Sequence, residues 1–184
     1  MKKNNAKQGT STPGDKAGPK TIPALIADLN SRDGLVRVKA RKALVAIGHR
    51  SVKPLVKALA SKKQWVRWEA AKTLSQIGDP AATQALIKAL EDKNFDVRWL
   101  AAEGLDSIGQ EAIVPLLQAL EKHPDSSWLR EGTHHVLHNL EGGHLNRTLN
   151  PVLLALEGFE PSVEAPLAAA KALNALTNNR IKRN

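Results

Sequence analysis

Apolar residues recur along this chain with two nested periods. The short one is helical: Val36, Ala40, Leu44 and Ile47 are spaced 4, 4 and 3, as are Val66, Ala70, Leu74 and Ile77, and Val97, Ala101, Leu105 and Ile108. Each set marks one face of a 3.6-residue turn. The long period is near 30 residues: Val36-Arg37 returns as Val66-Arg67 and Val97-Arg98, then as Leu129-Arg130, at spacings of 30, 31 and 32. Ile47-Gly48 returns as Ile77-Gly78 and Ile108-Gly109, with Leu140-Glu141 in the fourth place, and Leu29, Leu59, Leu90 and Leu120 keep the beat upstream. A degenerate fifth unit runs from Pro151 to Leu156 and from Pro166 to Leu176. Such a period is the mark of stacked units that share one core.

Each unit reads as a helical hairpin, a short helix A followed by a longer helix B. Gly48, Gly78 and Gly109 stop the B helices, because glycine accepts the left-handed conformation of a helix end. Pro54, Pro115 and Pro151 share a register near the start of the A helices, with Pro23 one residue early. A first turn tolerates proline because its N–H groups have no intrahelical acceptor. The expected architecture is an all-α, right-handed α-solenoid of about five hairpins, with units at about 21–48, 51–78, 81–109, 112–140 and 145–177.

The stretches VRWEAAKTLSQIGDPAATQALIKAL (66–90) and VRWLAAEGLDSIG (97–109) resemble short HEAT-like repeats of the phycobilisome-lyase type. The resemblance covers residues 21–140 closely and 145–177 loosely. It implies A helices on a convex side and B helices lining a concave one. It also implies a protein-interaction scaffold, although some relatives act on tetrapyrrole-bearing proteins, hydroxylate a lysine derivative or excise alkylated bases.

Composition narrows the chemistry. At 42% hydrophobic the 184-residue chain can bury a core, and with 3% aromatics that core must be aliphatic. The absence of Cys removes disulfides, thiolate zinc sites and cysteine nucleophiles, and fits a reducing compartment. No apolar run approaches the ~20 residues that span a bilayer, and the N-terminus lacks a signal peptide's apolar stretch, so a cytoplasmic location is expected. The net charge of +9 is unevenly placed. Residues 1–20, expected to form a disordered basic arm, carry +4, residues 21–78 carry +9, residues 79–144 carry −6, and a basic tail at 178–184 adds +3. A basic half attracts phosphates and acidic protein surfaces alike.

If the apolar set of each B helix faces the stack, the residues two, six and nine after its first member face away. The +2 place reads Val38, Trp68, Trp99, Glu131 and Leu167; the +6 place reads Lys42, Lys72, Glu103, His135 and Lys171; the +9 place reads Val45, Ser75, Asp106, His138 and Asn174. Trp68 and Trp99 are expected about one interhelical spacing apart, ~8–10 Å, and indoles serve well as binding anchors. The expected partner face is centred on them, with Lys39, Lys42 and Lys72 to one side and Glu103, Asp106, His135 and His138 to the other. Trp65 and Trp128 are read as lids on the inter-repeat core. Arg37, Arg67 and Arg98 are read as structural, bonding to a carbonyl or to acids in the adjacent turns such as Asp33, Asp96 and Asp125. His134 and His138 share a helical face but make only two potential ligands, so neither metal nor cofactor is expected.

These residues point to a non-catalytic scaffold that binds a protein of complementary charge. Alternatives are nucleic-acid binding, including alkylpurine-glycosylase-like base excision, and a bilin-lyase-like or chaperone role on a phycobiliprotein. The iron-dependent hydroxylase branch needs His-Glu pairs, and the chain has no such dipeptide. The basic tails could hold nucleic acid weakly. The Ala-rich stretch PLAAAKALNAL (166–176), with one charge, is expected to lie under the tail or to mediate weak self-association.

Overall fold

The computed structural model describes residues 20–140 and 146–181, with side chains to residue 178. Of the expected arm only Lys20 falls within this range, where its ammonium bonds to Asp28 at 2.6 Å. The tail beyond residue 181 and the segment 141–145 lie outside the described residues. Among those described there is no strand, and the helices pair as the periodicity predicts: α1 (Ile22–Asp28) with α2 (Gly34–Ile47), α3 (His49–Leu59) with α4 (Gln64–Ile77), α5 (Thr83–Ala89) with α6 (Phe95–Ile108), and α7 (Ile113–Lys122) with α8 (Ser127–Asn139). A fifth pair, α9 (Asn146–Glu157) and α10 (Pro161–Ile181), ends the stack.

Local chemistry starts and stops these helices. Side chains of Thr21, Asp33, Asn94 and Ser126 accept backbone N–H bonds at the N-termini of α1, α2, α6 and α8. Gly48, Gly78 and Gly109 all have positive φ, as the stop signals require. Pro54 and Pro151 sit inside α3 and α9 instead of in their first turns. In the second unit the reason is that α3 begins directly after Gly48, anchored by the Ser51 hydroxyl, which donates to the carbonyls of Leu44 and Gly48.

The predicted inward stripe is the core. Ala40, Leu44, Ala70, Leu74, Ala101, Leu105, Leu129 and Val136 are buried, and alanine at alternate places lets helices approach closely. The longer helices form one row, α2–α4–α6–α8, and the shorter ones a second, α1–α3–α5–α7.

The fifth hairpin is turned round: α9 packs on α8, while α10 packs on α7 and α9. This corrects the expectation that Leu167, Lys171 and Asn174 continue the inner stripe of the B helices. Units one to three close on glycines with positive φ, whereas α8 closes on Leu140 at φ −85°. The alanine face of α10 is spent on this packing, with Ala165, Ala169 and Ala172 buried. The stretch expected to lie under the tail or to meet a second subunit thus buries Ala169 and Ala172 within the chain, and Val163 and Leu167 remain exposed on the other side of α10.

Candidate functional site

The arginine of each Val/Leu-Arg pair braces its own hairpin turn. Arg37, Arg67, Arg98 and Arg130 each donate through Nη1 to the carbonyl six residues upstream, on Ser31 (2.8 Å), Ser61 (3.0 Å), Asp92 (2.9 Å) and Pro124 respectively. The first two also reach into the next repeat. Arg37 Nε donates to Glu69 at 3.0 Å, and Arg67 donates to both carboxylate oxygens of Asp92 at 2.6 and 2.9 Å. The structural role expected of Arg37, Arg67 and Arg98 is therefore observed, but the acids differ. Asp33 caps α2 by accepting from Leu35, and neither Asp96 nor Asp125 is an arginine partner. The true partners lie a repeat further on, where sequence proximity gives no signal.

Arg98 departs from the pattern. Its guanidinium carbon lies 4.5 Å from the centre of the Trp128 ring and 5.6 Å from that of Phe95. Both rings border a cleft of about 390 Å³ between α6 and α8. Phe95, Arg98, Trp99 and Ala102 form one wall; Trp128, Glu131, Gly132, His134, His135, His138 and Asn139 form the other, with Leu90 between them. Trp99 is 48% exposed and Trp128 42% exposed, large values for indoles. Trp99 stacks on Phe95 with ring centres 6.4 Å apart and meets the His135 ring at 4.7 Å.

A polar chain edges this cleft. His135 Nε2 lies 3.5 Å from Glu103 and 3.2 Å from the Asn139 amide nitrogen, which in turn lies 3.5 Å from Asp106. The i, i+4 spacing of His135 and Asn139 on α8 sets them beside the matching pair on α6.

The structure thus gathers Trp99, Glu103, Asp106, His135 and His138, which the outward stripe had put together, and parts them from Trp68. Trp68 is only partly exposed: it packs on Ala71, Val97 and Leu100, with the Arg41 guanidinium 5.7 Å from its ring centre. Arg41 is held there by Glu69, itself 4% exposed. Of the two indoles expected to share one docking face, Trp99 lines the cleft, and half-buried Trp68 is not among its lining residues. The second exposed indole of the cleft is Trp128, which sequence reasoning had read as a core lid. Lys39 and Lys42 are exposed on α2 and Lys72 is partly exposed on α4, none of them lining the cleft. The cleft residues missed from sequence are Phe95, Arg98, Trp128, Glu131 and Asn139. Two of these stand at the start of a B helix, so the aromatic register one or two residues before Val97 and Leu129 was the available signal.

His134 Nε2 is 2.7 Å from Glu157 on α9, and its ring lies 6.0 Å from that of His138. Among the described residues no three His, Cys, Asp or Glu side chains converge as metal ligands. No helix among them is long and apolar enough to cross a membrane.

The HEAT-repeat family matches residues 22–105 and 83–143, which together cover well over half of the chain. This is a HEAT-repeat protein. The fold of this HEAT-repeat protein is similar to that of a chain in the complex of CpcE and CpcF of phycocyanin lyase from Nostoc sp. PCC7120. The likeness has a TM-score of 0.55 at 24% identity and covers 81% of this chain and 97% of that one. No curated protein sequence matches this HEAT-repeat protein.

Proposed function

We propose that this HEAT-repeat protein is a non-catalytic interaction scaffold that receives a protein partner in the α6–α8 cleft. The observation that carries the reading is the half-exposure of Trp99 and Trp128 on opposite walls of one cleft, with Phe95 beside them. Indoles held on rigid helices lose little entropy when a partner covers them, and such residues dominate binding energy. Solenoid repeats supply the rigid frame. The carboxylates of Glu103, Asp106 and Glu131 on this face repel phosphates, which weighs against nucleic acid as the occupant.

Capture from the native cell extract, followed by calorimetry on the purified partner, tests this reading. Trp99→Ala and Trp128→Ala should each weaken the complex by at least about tenfold. Trp65→Ala should not, because Trp65 is exposed outside the cleft, beside Lys63. Equal affinity for all three variants would refute the assignment.

A lyase-associated role is the second reading, supported by the fold-level likeness to a chain of the phycocyanin lyase complex. Its test is a visible absorbance titration of the protein with free phycocyanobilin. A saturable spectral shift that Trp99→Ala abolishes would favour it over the scaffold reading.

A further inference from the structure

Resting on the reading that the α6–α8 cleft receives a protein, we propose that Arg98 is a carboxylate anchor and that the partner supplies an Asp or Glu side chain to it. The first two arginines of the ladder show where an acid belongs. Arg37 takes Glu69, three residues after Val66, and Arg67 takes Asp92, five residues before Val97. In those registers the repeat that follows Arg98 offers Gly132, three residues after Leu129, and Pro124, five residues before it. Neither carries a carboxylate. Pro124 is the strict counterpart of Asp92, since its carbonyl accepts from Arg130 just as that of Asp92 accepts from Arg98.

Arg98 consequently makes one hydrogen bond, to the Asp92 carbonyl, and no ion pair among the described residues. The rest of its donor fork sits between Phe95 and Trp128 at the edge of the cleft. Aromatic stacking orients the guanidinium plane without using its N–H groups, which leaves a pre-set fork for a bidentate carboxylate. The glycine at 132 matters twice. It removes the acid that Glu69 provides in the earlier repeat, and it opens the cleft lining that it shares with Arg98 by carrying no side chain. The neighbouring Trp99 then covers the apolar stem or flanking residue of the incoming acid. Glu131 on the same wall, with Glu103 and Asp106 along the edge of the cleft, is the competing charge, and a cationic ligand is the outcome these acids would favour.

Three probes that differ only in charge decide between these: 3-phenylpropionate, 3-phenylpropanamide and 3-phenylpropylamine, each followed through the indole N–H resonances of Trp99 and Trp128 in the full-length protein. The propionate should shift both signals and bind about tenfold more tightly than the amide, as a charge-assisted bond requires, with the amine weakest. Arg98→Gln should bring the propionate down to the amide's affinity. Pro124→Asp, which keeps Arg98 and its turn bond, should do the same by supplying the acid from within the chain, and should leave amide binding unchanged. If the amide or the amine binds as tightly as the propionate, the anchor assignment is overturned while the cleft stands. If no probe moves either indole, the cleft reading falls with it.

Discussion

Arg67 and Asp92, on successive hairpins, meet at two points: Nε donates to one carboxylate oxygen at 2.6 Å and Nη2 to the other at 2.9 Å. Both side chains are largely shielded from water. Burial pushes the Asp92 carboxyl up, but the hydrogen bonds from Arg67 and the Asn94 N–H, with the positive charges of Arg67 and Lys93, hold it below the ordinary carboxylate range. This pair latches the second repeat to the third.

Asp92→Ala should cost about 3 kcal/mol, because it strands the largely buried Arg67. The same pair predicts an acid response. The folded value of Asp92 is depressed, so its contribution is complete above the unfolded value of about 4 and is lost as pH falls through the folded one. The gap between wild-type and Asp92→Asn urea midpoints should therefore be wide at pH 7 and narrow at pH 3. A gap that does not change with pH would contradict the role given to the pair.

Glu69 accepts from Arg37 and Arg41 together, and Arg41 in turn covers Trp68. Glu69→Gln should lower stability by about 2–4 kcal/mol, since two shielded cations lose their counter-charge. Released from Glu69, Arg41 should leave the indole, and Trp68 emission should move to longer wavelength. A background carrying Trp65→Phe, Trp99→Phe and Trp128→Phe leaves Trp68 as the one indole and isolates that signal.

Gly132 is a packing glycine. A Cβ there would stand 2.7 Å from Leu90 Cδ2 and 3.2 Å from its Cγ, and Leu90 is fully enclosed. Gly132→Ala should destabilise by about 1–2 kcal/mol despite alanine's better helix propensity, because overpacking outweighs it. Combined with Leu90→Ala the loss should be smaller than the sum of the two, a coupling that a double-mutant cycle in urea measures directly.

Gly109 has open space around its Cα, yet φ is +77° and ψ −140°, a region that side chains avoid. Gly109→Ala should cost about 1–3 kcal/mol from backbone strain alone. An alanine of the opposite hand at this position should restore stability, which a semisynthetic protein would reveal as recovery of the thermal midpoint.

Most of the architecture was legible because it is a matter of period. The spacing of Val66, Ala70, Leu74 and Ile77 names a helix face, and glycine at 48, 78 and 109 names its end, whatever the surroundings. The site was legible by halves. The outward stripe puts Trp99, Glu103, Asp106, His135 and His138 on one face, and the structure brings them near one another, since their placement follows from helix phase on neighbouring helices. Trp68 shares that phase with Trp99 and still lies under Arg41, because its exposure depends on an arginine from the previous repeat and a buried glutamate that holds it.

By itself the sequence determined the repeat, the helix pairs and their buried faces, because these rest on local periodicity and on backbone preferences that each residue carries with it. Tertiary structure decided the rest. It turned the last hairpin so that α10 packs on α7, paired Arg67 with an acid 25 residues away, and left Arg98 beside Trp128 at an open cleft. Those outcomes depend on which side chain a neighbouring repeat presents at a given point in space. Small differences there, a proline in place of an acid at 124 or a glycine in place of an acid at 132, redirect the result without disturbing the period.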